Sequence, residues 1–235
     1  MTSPKSLILP PWKVRAILDD KASQLRVVVK PQPEAWRGEG GWMYKKIINR
    51  ELRVVENLKT GKTTSEGRLV PLHEFLLKHG PYRVGDIIAV KEEWHDDFEH
   101  NRVFYRADEG EDGLIPYMIP GEGFGGGVGG ARITAWRPAR TMPPEAVRLH
   151  LRITEIRVHR VQEISEGDAS KEGVERLVLK ENTIPGVEPP FNRLHPLTSS
   201  YIDAYRSAFD ADHGAGSWGA NPFVWAVSFE KARQE

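Results

Sequence analysis

Residues 14–33 compress a helix, a turn and a strand into twenty positions, and no other stretch restricts the fold as tightly. Val14 to Leu18 read as a short amphipathic helix. Asp19-Asp20-Lys21 is a tight acidic turn, and Leu25 to Val29 form a β-branched strand stopped by Pro31 and Pro33. A strand this short, fed directly from a helix, has to find its partners elsewhere in the chain.

Further strand and helix signals follow. Residues 51–70 alternate around the turn Asn57-Leu58-Lys59-Thr60-Gly61-Lys62 and predict a hairpin. Leu72, Phe75 and Leu76 lie at helical spacing before Gly80-Pro81. Short strands are expected at Ile87–Val90 and Arg102–Ala107, and a longer one at Arg148–Val161. Ser165 caps a helix that Gly173 ends, Tyr201–Phe209 is a further helix, and Phe223–Phe229 is an aromatic closing strand. Residues 108–131 contain the run Gly121 to Gly130, so rich in glycine that a mobile surface loop is expected. The Pro- and Asn-rich residues 180–200 read as a second insertion. The sum is an α+β pattern of short strands with peripheral helices, in a length that suits one domain with insertions.

Thirty-three basic residues balance 33 acidic ones, so a globally basic nucleic-acid binder is not indicated and only a local basic cleft would serve. The absence of cysteine excludes disulfides, thiol catalysis and cysteine-ligated zinc. No apolar run approaches the roughly 18 residues of a membrane span. The apolar Ser6-Leu7-Ile8-Leu9 is too short for a signal peptide, so a cytoplasmic protein is expected.

The stretch from Val14 through Val29-Lys30-Pro31-Gln32-Pro33 resembles the opening of the ASCH family, a branch of the PUA-like RNA-binding β-barrels. That family phrases it as Leu-x-Gly-x-Lys-Thr-x-Thr-x-Arg, and its phage-encoded members continue into Val-Lys-Pro-Gln-Pro. Here Asp19 replaces the glycine, and Ala22 and Gln24 replace the threonines. Four more segments are similar in the same order: Tyr82 to Trp94, Trp136 to Pro143, Val158 to Gly173, and Trp218 to Trp225. Together they cover roughly half the chain. The resemblance implies a PUA-like mixed β-barrel with flanking helices and two long insertions, near residues 108–132 and 178–200. It also implies recognition of RNA, single-stranded nucleic acid or a nucleoside, with no cofactor.

In ASCH members that resemble N4-acetylcytidine amidohydrolases, a lysine, a threonine and a glutamate are proposed to do the chemistry. Lys21 and Glu172 match two of them and are the candidate catalytic pair, but the threonine position holds Gln24, whose amide is no nucleophile. Ser23 carries a hydroxyl on the opposite face of the strand. Binding is therefore the leading expectation and amide hydrolysis the alternative; attachment of a phage protein to a host protein is a third. The candidate ligand-binding set is Lys21, Gln24, Arg26, Lys30, Lys91, Glu92, Trp94, Glu172 and Trp218. In it Arg26 and Lys30 grip phosphates, Glu172 accepts from a base edge, and Trp94 or Trp218 stacks. The bland readings are a charged strand edge for the cations, a salt bridge for Lys21 and Glu172, and a core position for Trp94.

Three motifs fail on context. Thr60-Gly61-Lys62-Thr63 ends like a phosphate-binding loop, but the required first glycine is Glu56. Gly121-x-Gly123-x-x-Gly126 has neither strand before it nor helix after it. His95 and His100 are five apart, off one helical face, so a metal is not expected there.

Overall fold

The computed structural model describes residues 5–33, 45–48, 51–56, 62, 67–97, 102–119, 127–176 and 200–232. The chain opens with β1 (Lys5–Ile8), α1 (Pro11–Leu18) and β2 (Gln24–Val28). Three strands follow, β3 (Lys45–Ile48), β4 (Glu51–Glu56) and β5 (Arg68–Pro71), and then α2 (Leu72–His79). Next come β6 (Ile87–Lys91), β7 (Trp94–Asp97), β8 (Arg102–Tyr105), β9 (Ile115–Ile119) and β10 (Gly127–Ala131). The last third holds β11 (Leu149–Arg160), α3 (Glu166–Lys171), α4 (Tyr201–His213) and β12 (Phe223–Lys231). The fold is mixed α+β, with a five-stranded mixed sheet of order β1-β6-β11-β12-β2 and three smaller antiparallel sheets. No closed barrel is formed among the described residues.

The chain divides into two compact units, each assembled from separated stretches. The first comprises residues 1–21, 85–153 and 229–235. Here β1 pairs parallel with β6, and β6 pairs antiparallel with the start of β11. The α1 helix begins with Pro11, whose fixed φ suits a first helical position. It ends at a turn where Asp20 takes a positive φ of 58°. Lys231 closes that end, its Nζ lying 2.6 Å from Asp20 Oδ1 and 3.3 Å from the Leu18 carbonyl. A cation there complements the negative end of the helix dipole.

The glycine-rich stretch departs from expectation. Residues 127–131 form β10, paired antiparallel with β9 in the register Gly127↔Ile119 to Ala131↔Ile115. Backbone hydrogen bonds need no side chain, so glycine weakens a ladder without forbidding it. The missing Cβ has a use at Gly130, where one would lie 3.3 Å from Leu114 Cδ1. Residues 120–126, and 177–199 of the second insertion, lie outside the described residues.

The second unit comprises residues 22–84 and 154–228. Within it β12 pairs antiparallel with β2, while β3, β4 and β5 form a meander against which α2 packs. Ser165 accepts the Asp168 amide to cap α3, and Ser200 accepts the Asp203 amide to cap α4. Gly173 and Gly214 follow the two helices with φ of 80° and 99°, a region that favours glycine. The core of this unit gathers Val161, Ile164, Ala169, Tyr205, Phe209, Trp218 and Val224.

Trp218 belongs to that core. The glycine-flanked loop doubles back instead of displaying the indole, with Gly216 at φ 84° making the turn. The ring stands edge-on to Tyr205 at 6.2 Å and to Phe209 at 6.1 Å, and the residue is 8% exposed. Trp218→Ala should therefore destabilise the protein by about 3–5 kcal/mol, read as a lower urea midpoint at unchanged slope. A surface tryptophan would give a change within about 0.5 kcal/mol.

Candidate functional site

The candidate site grows from the register of β2 on β12. Gln24 lies opposite Ser228, Arg26 opposite Ala226 and Val28 opposite Val224. Side chains alternate along a strand, so Gln24, Arg26 and Val28 share one face while Leu25, Val27 and Val29 share the other. On the first face Val28 and Val224 meet the core, and Gln24 and Arg26 continue it as a polar strip.

Arg26 is the centre of that strip. Its side chain is wholly buried, and Nη1 donates to Glu172 Oε1 at 2.6 Å and to Gln24 Oε1 at 2.7 Å. Nη2 lies 3.6 Å from Asp168 Oδ2, close enough for ionic attraction and too far for a hydrogen bond. Nη2 and Nε have no hydrogen-bond partner. The Tyr205 ring centroid lies 5.8 Å from the guanidinium carbon. Glu172 follows directly after α3, forms an antiparallel bridge with Ala22, and is wholly buried. Ser23 N donates to the Lys171 carbonyl at 2.9 Å, so the chain entering β2 runs beside the end of α3.

The neighbouring strand contributes alternate residues of β11. Glu155 Oε2 accepts from Ser228 Oγ at 3.3 Å, and Ser228 Oγ accepts from Gln24 Nε2 at 3.2 Å. Arg157 grips Asp168 through both terminal nitrogens, at 3.2 and 3.3 Å, while its side chain stays 41% exposed. His159 donates through Nδ1 to the Arg160 carbonyl at 2.8 Å. The strip thus runs from the buried Arg26–Glu172 pair to the half-exposed Arg157.

Its electrostatics follow from burial and charge. Burial alone would raise the Asp168 carboxyl, but hydrogen bonds and charge from Arg157, with help from Arg26, hold it below its ordinary value. The hydrogen bonds to Asp168 raise Arg157 in turn. Burial lowers the His159 imidazole, and the Arg26 charge adds to that. Tyr205 is pushed well above its ordinary value by burial and by the Glu172 carboxylate, so its hydroxyl stays neutral.

The other expected site residues have their own surroundings. Lys21 belongs to the first unit, half-exposed, with Nζ 3.8 Å from Asp19 Oδ2. Lys30 lies exposed just beyond β2, and Arg26 is sealed in an ion pair, so the two do not form a shared exposed phosphate grip. Lys91 donates to the Met142 carbonyl at 2.8 Å. Glu92 is buried, and Arg148 holds it bidentately at 2.9 and 3.1 Å. Burial raises the Glu92 carboxyl despite that arginine. Trp94 is a core residue, 6% exposed among Ala89, Met142, Ala146 and Val147, with Nε1 3.3 Å from Thr141 Oγ1. Its indole is not displayed for stacking, and nor is that of Trp218.

Sequence reasoning brought out Gln24, Arg26 and Glu172 but missed Glu155, Arg157, His159, Asp168 and Ser228. The charged alternation of β11 was the available signal. Among the described residues no group of three or more potential ligands is arranged to hold a metal ion. Comparison of the chain with models of known protein families, with curated proteins and with solved structures finds no match.

The depressed imidazole has a measurable consequence. A histidine whose folded pKa lies below its unfolded value stabilises fully above about pH 6.5 and loses that contribution as pH falls toward the folded value. His213, also lowered by burial, adds to the same slope. Urea denaturation at pH 7.5 and 5.5 should show wild type losing more stability than His159→Gln over that interval. Equal losses would show that His159 is not held neutral.

Proposed function

We propose that the polar strip of β2, β11 and β12, bordered by α3, binds a nucleobase, either in a free nucleoside or in a short single-stranded nucleic acid. Arg26 is the observation that carries this reading. Buried donors left without a partner are rare and cost roughly 1–3 kcal/mol each. Arg26 has two such nitrogens, Nε and Nη2, held in place by Gln24 and Glu172. The Arg26 side chain has no exposed surface of its own, so the acceptor would be a base carbonyl entering beside Asp168, on the side where Arg157 meets solvent. Arg157 adds a second guanidinium at the solvent side, a flat cation suited to stacking on a base or meeting a phosphate. The resemblance of five ordered segments to the ASCH family is the second support. With it goes the finer fold reading, a PUA-like barrel.

Hydrolysis of an N-acylated nucleoside is the second reading, and one contact favours it. Ser228 places a hydroxyl opposite Gln24, against the Glu155 carboxylate. Against it, Gln24 is spent at both ends, on Arg26 and on Ser228, and offers no nucleophile. Glu172, bound to Arg26, is not poised as a general base.

Anisotropy of a fluorescein-labelled short single-stranded RNA tests the proposal. Binding should be modest, with log affinity falling against log salt at a slope of about −0.7 to −2, as one to three phosphate contacts give for single strands. Arg157→Glu should weaken it by at least about tenfold, equivalent to about 1.4 kcal/mol. N4-acetylcytidine should compete without being turned over. RNA binding indifferent to Arg157→Glu would remove the strip from the site, and acetylcytidine hydrolysis abolished by Ser228→Ala would establish the hydrolase reading instead.

A further inference from the structure

The opposite face of β2 lines a cavity of about 350 Å³, all of it within the second unit. Its buried part is formed by Val29, Phe75, Leu76 and Trp225, with Val27 beside the indole in register. Three further rings complete an aromatic enclosure around Trp225. Tyr82 stands edge-on to the indole at 6.2 Å and 77°, and Phe75 tilts against His79 at 4.7 Å. Lys30 and His79 are exposed at the margin, and none of the described lining residues is acidic.

The walls are fixed in advance of any ligand. A Cβ on Gly80 would fall 2.1 Å from Trp225 Cη2, so only glycine lets the 80–82 turn lie against the indole edge. The Arg83 guanidinium then donates to the carbonyls of Lys78, Gly80 and Tyr82, each at 2.7 Å, and holds that turn. Burial raises the Tyr82 phenol, so its hydroxyl stays protonated and able to donate. A preformed apolar hollow with a few polar groups at its margin is the usual form of a small-molecule site.

We propose that this cavity binds a small planar aromatic carboxylate, its ring among Trp225, Phe75 and Tyr82 and its carboxylate at Lys30. The rings suit a flat π-system, which prefers edge and offset contacts to aliphatic filling. The volume is ample for one or two fused rings. Charge selects an anion, because Lys30 is the only permanently charged residue among the described lining residues. A single ammonium with no arginine fork suits a monoanion better than a phosphate, which favours bidentate guanidinium contacts. The site is separate from the polar strip and does not depend on that proposal, since Gln24 and Arg26 point to the other face.

Calorimetric titration with indole-3-acetate, indole and tryptamine tests it, one ring system carrying negative, zero or positive charge. Indole-3-acetate should bind tightest and tryptamine weakest. Lys30→Glu, at an exposed position, should weaken indole-3-acetate by about tenfold and leave indole within about twofold. Val27→Phe should fill the cavity and remove both, with circular dichroism confirming the fold. RNA binding by the Val27→Phe protein should be unchanged, so failure here is distinguishable from failure at the polar strip. Absence of binding by all three compounds, equal affinity for them, or indole-3-acetate binding that survives Val27→Phe in folded protein would each overturn the proposal.

Discussion

The second unit is organised around one buried ion pair, Arg26 with Glu172. Taking a guanidinium and a carboxylate out of water costs several kcal/mol per ion, and a contact at 2.6 Å offsets that only when the surrounding polar atoms are also arranged. Here they are: Gln24 turns its carbonyl to Arg26, Asp168 lends its charge from α3, and the Ala22 bridge seats the residue that carries the carboxylate. The pair therefore does more than cancel charge. It sets where α3 ends against the strand that begins two residues beyond Ala22, and through Ala169 and Tyr205 it borders the apolar core directly. Losing either partner would strand the other in a place with no water to receive it.

That pair also explains how β2 serves two environments. Period-two alternation gives Gln24, Arg26 and Val28 to one side and Leu25, Val27 and Val29 to the other. One side passes from polar strip to apolar core within three alternate residues; the other lines an aromatic hollow against α2. A one-residue slip would bury Leu25 and Val27 among carboxylates and push Arg26 against Trp225. The register on β12 is consequently held from both faces, by hydrogen bonds on one and by ring packing on the other.

Much of this frame was legible in the residues, because local chemistry specifies it. Ser165 and Gly173 mark both ends of α3, alternation marks β11, and Pro31 and Pro33 follow the end of β2. What escaped was tertiary. Parity identified the face that Arg26 occupies but not that α3 and α4 would cover it, so a cation that reads as a phosphate contact is a buried ion-pair partner. Gly216 beside Trp218 reads as a loop that displays an indole, yet the turn it permits tucks the ring under Tyr205 and Phe209. Composition misled once more at Gly127–Ala131, since a ladder made by backbone atoms tolerates residues with nothing to pack. Asp168, Arg157 and Ser228 could not be linked from sequence, because their association requires β11, β12 and α3 already in place.

Arg26 and Arg148, each paired with a buried glutamate, show within one chain what completion of such a group looks like. Arg148, in the first unit, spends all three nitrogens: Nε and Nη2 on Glu92, Nη1 on Asp108 at 2.7 Å. Its guanidinium also lies 3.9 Å from the Tyr105 ring centroid. Every nitrogen has an acceptor and the flat face has a ring, as suits an arginine that serves structure. Arg26 is the more deeply buried of the two, where unmet donors cost most, yet Nη1 alone takes both its hydrogen bonds. Were its role only to neutralise Glu172, a bidentate geometry like that of Arg148 would be the lower-energy solution. The carboxylate is held end-on at one nitrogen, leaving the other two without a hydrogen-bond acceptor in the protein. Two donors left without an acceptor in a buried place call for an explanation, and the ligand proposed for the strip is one.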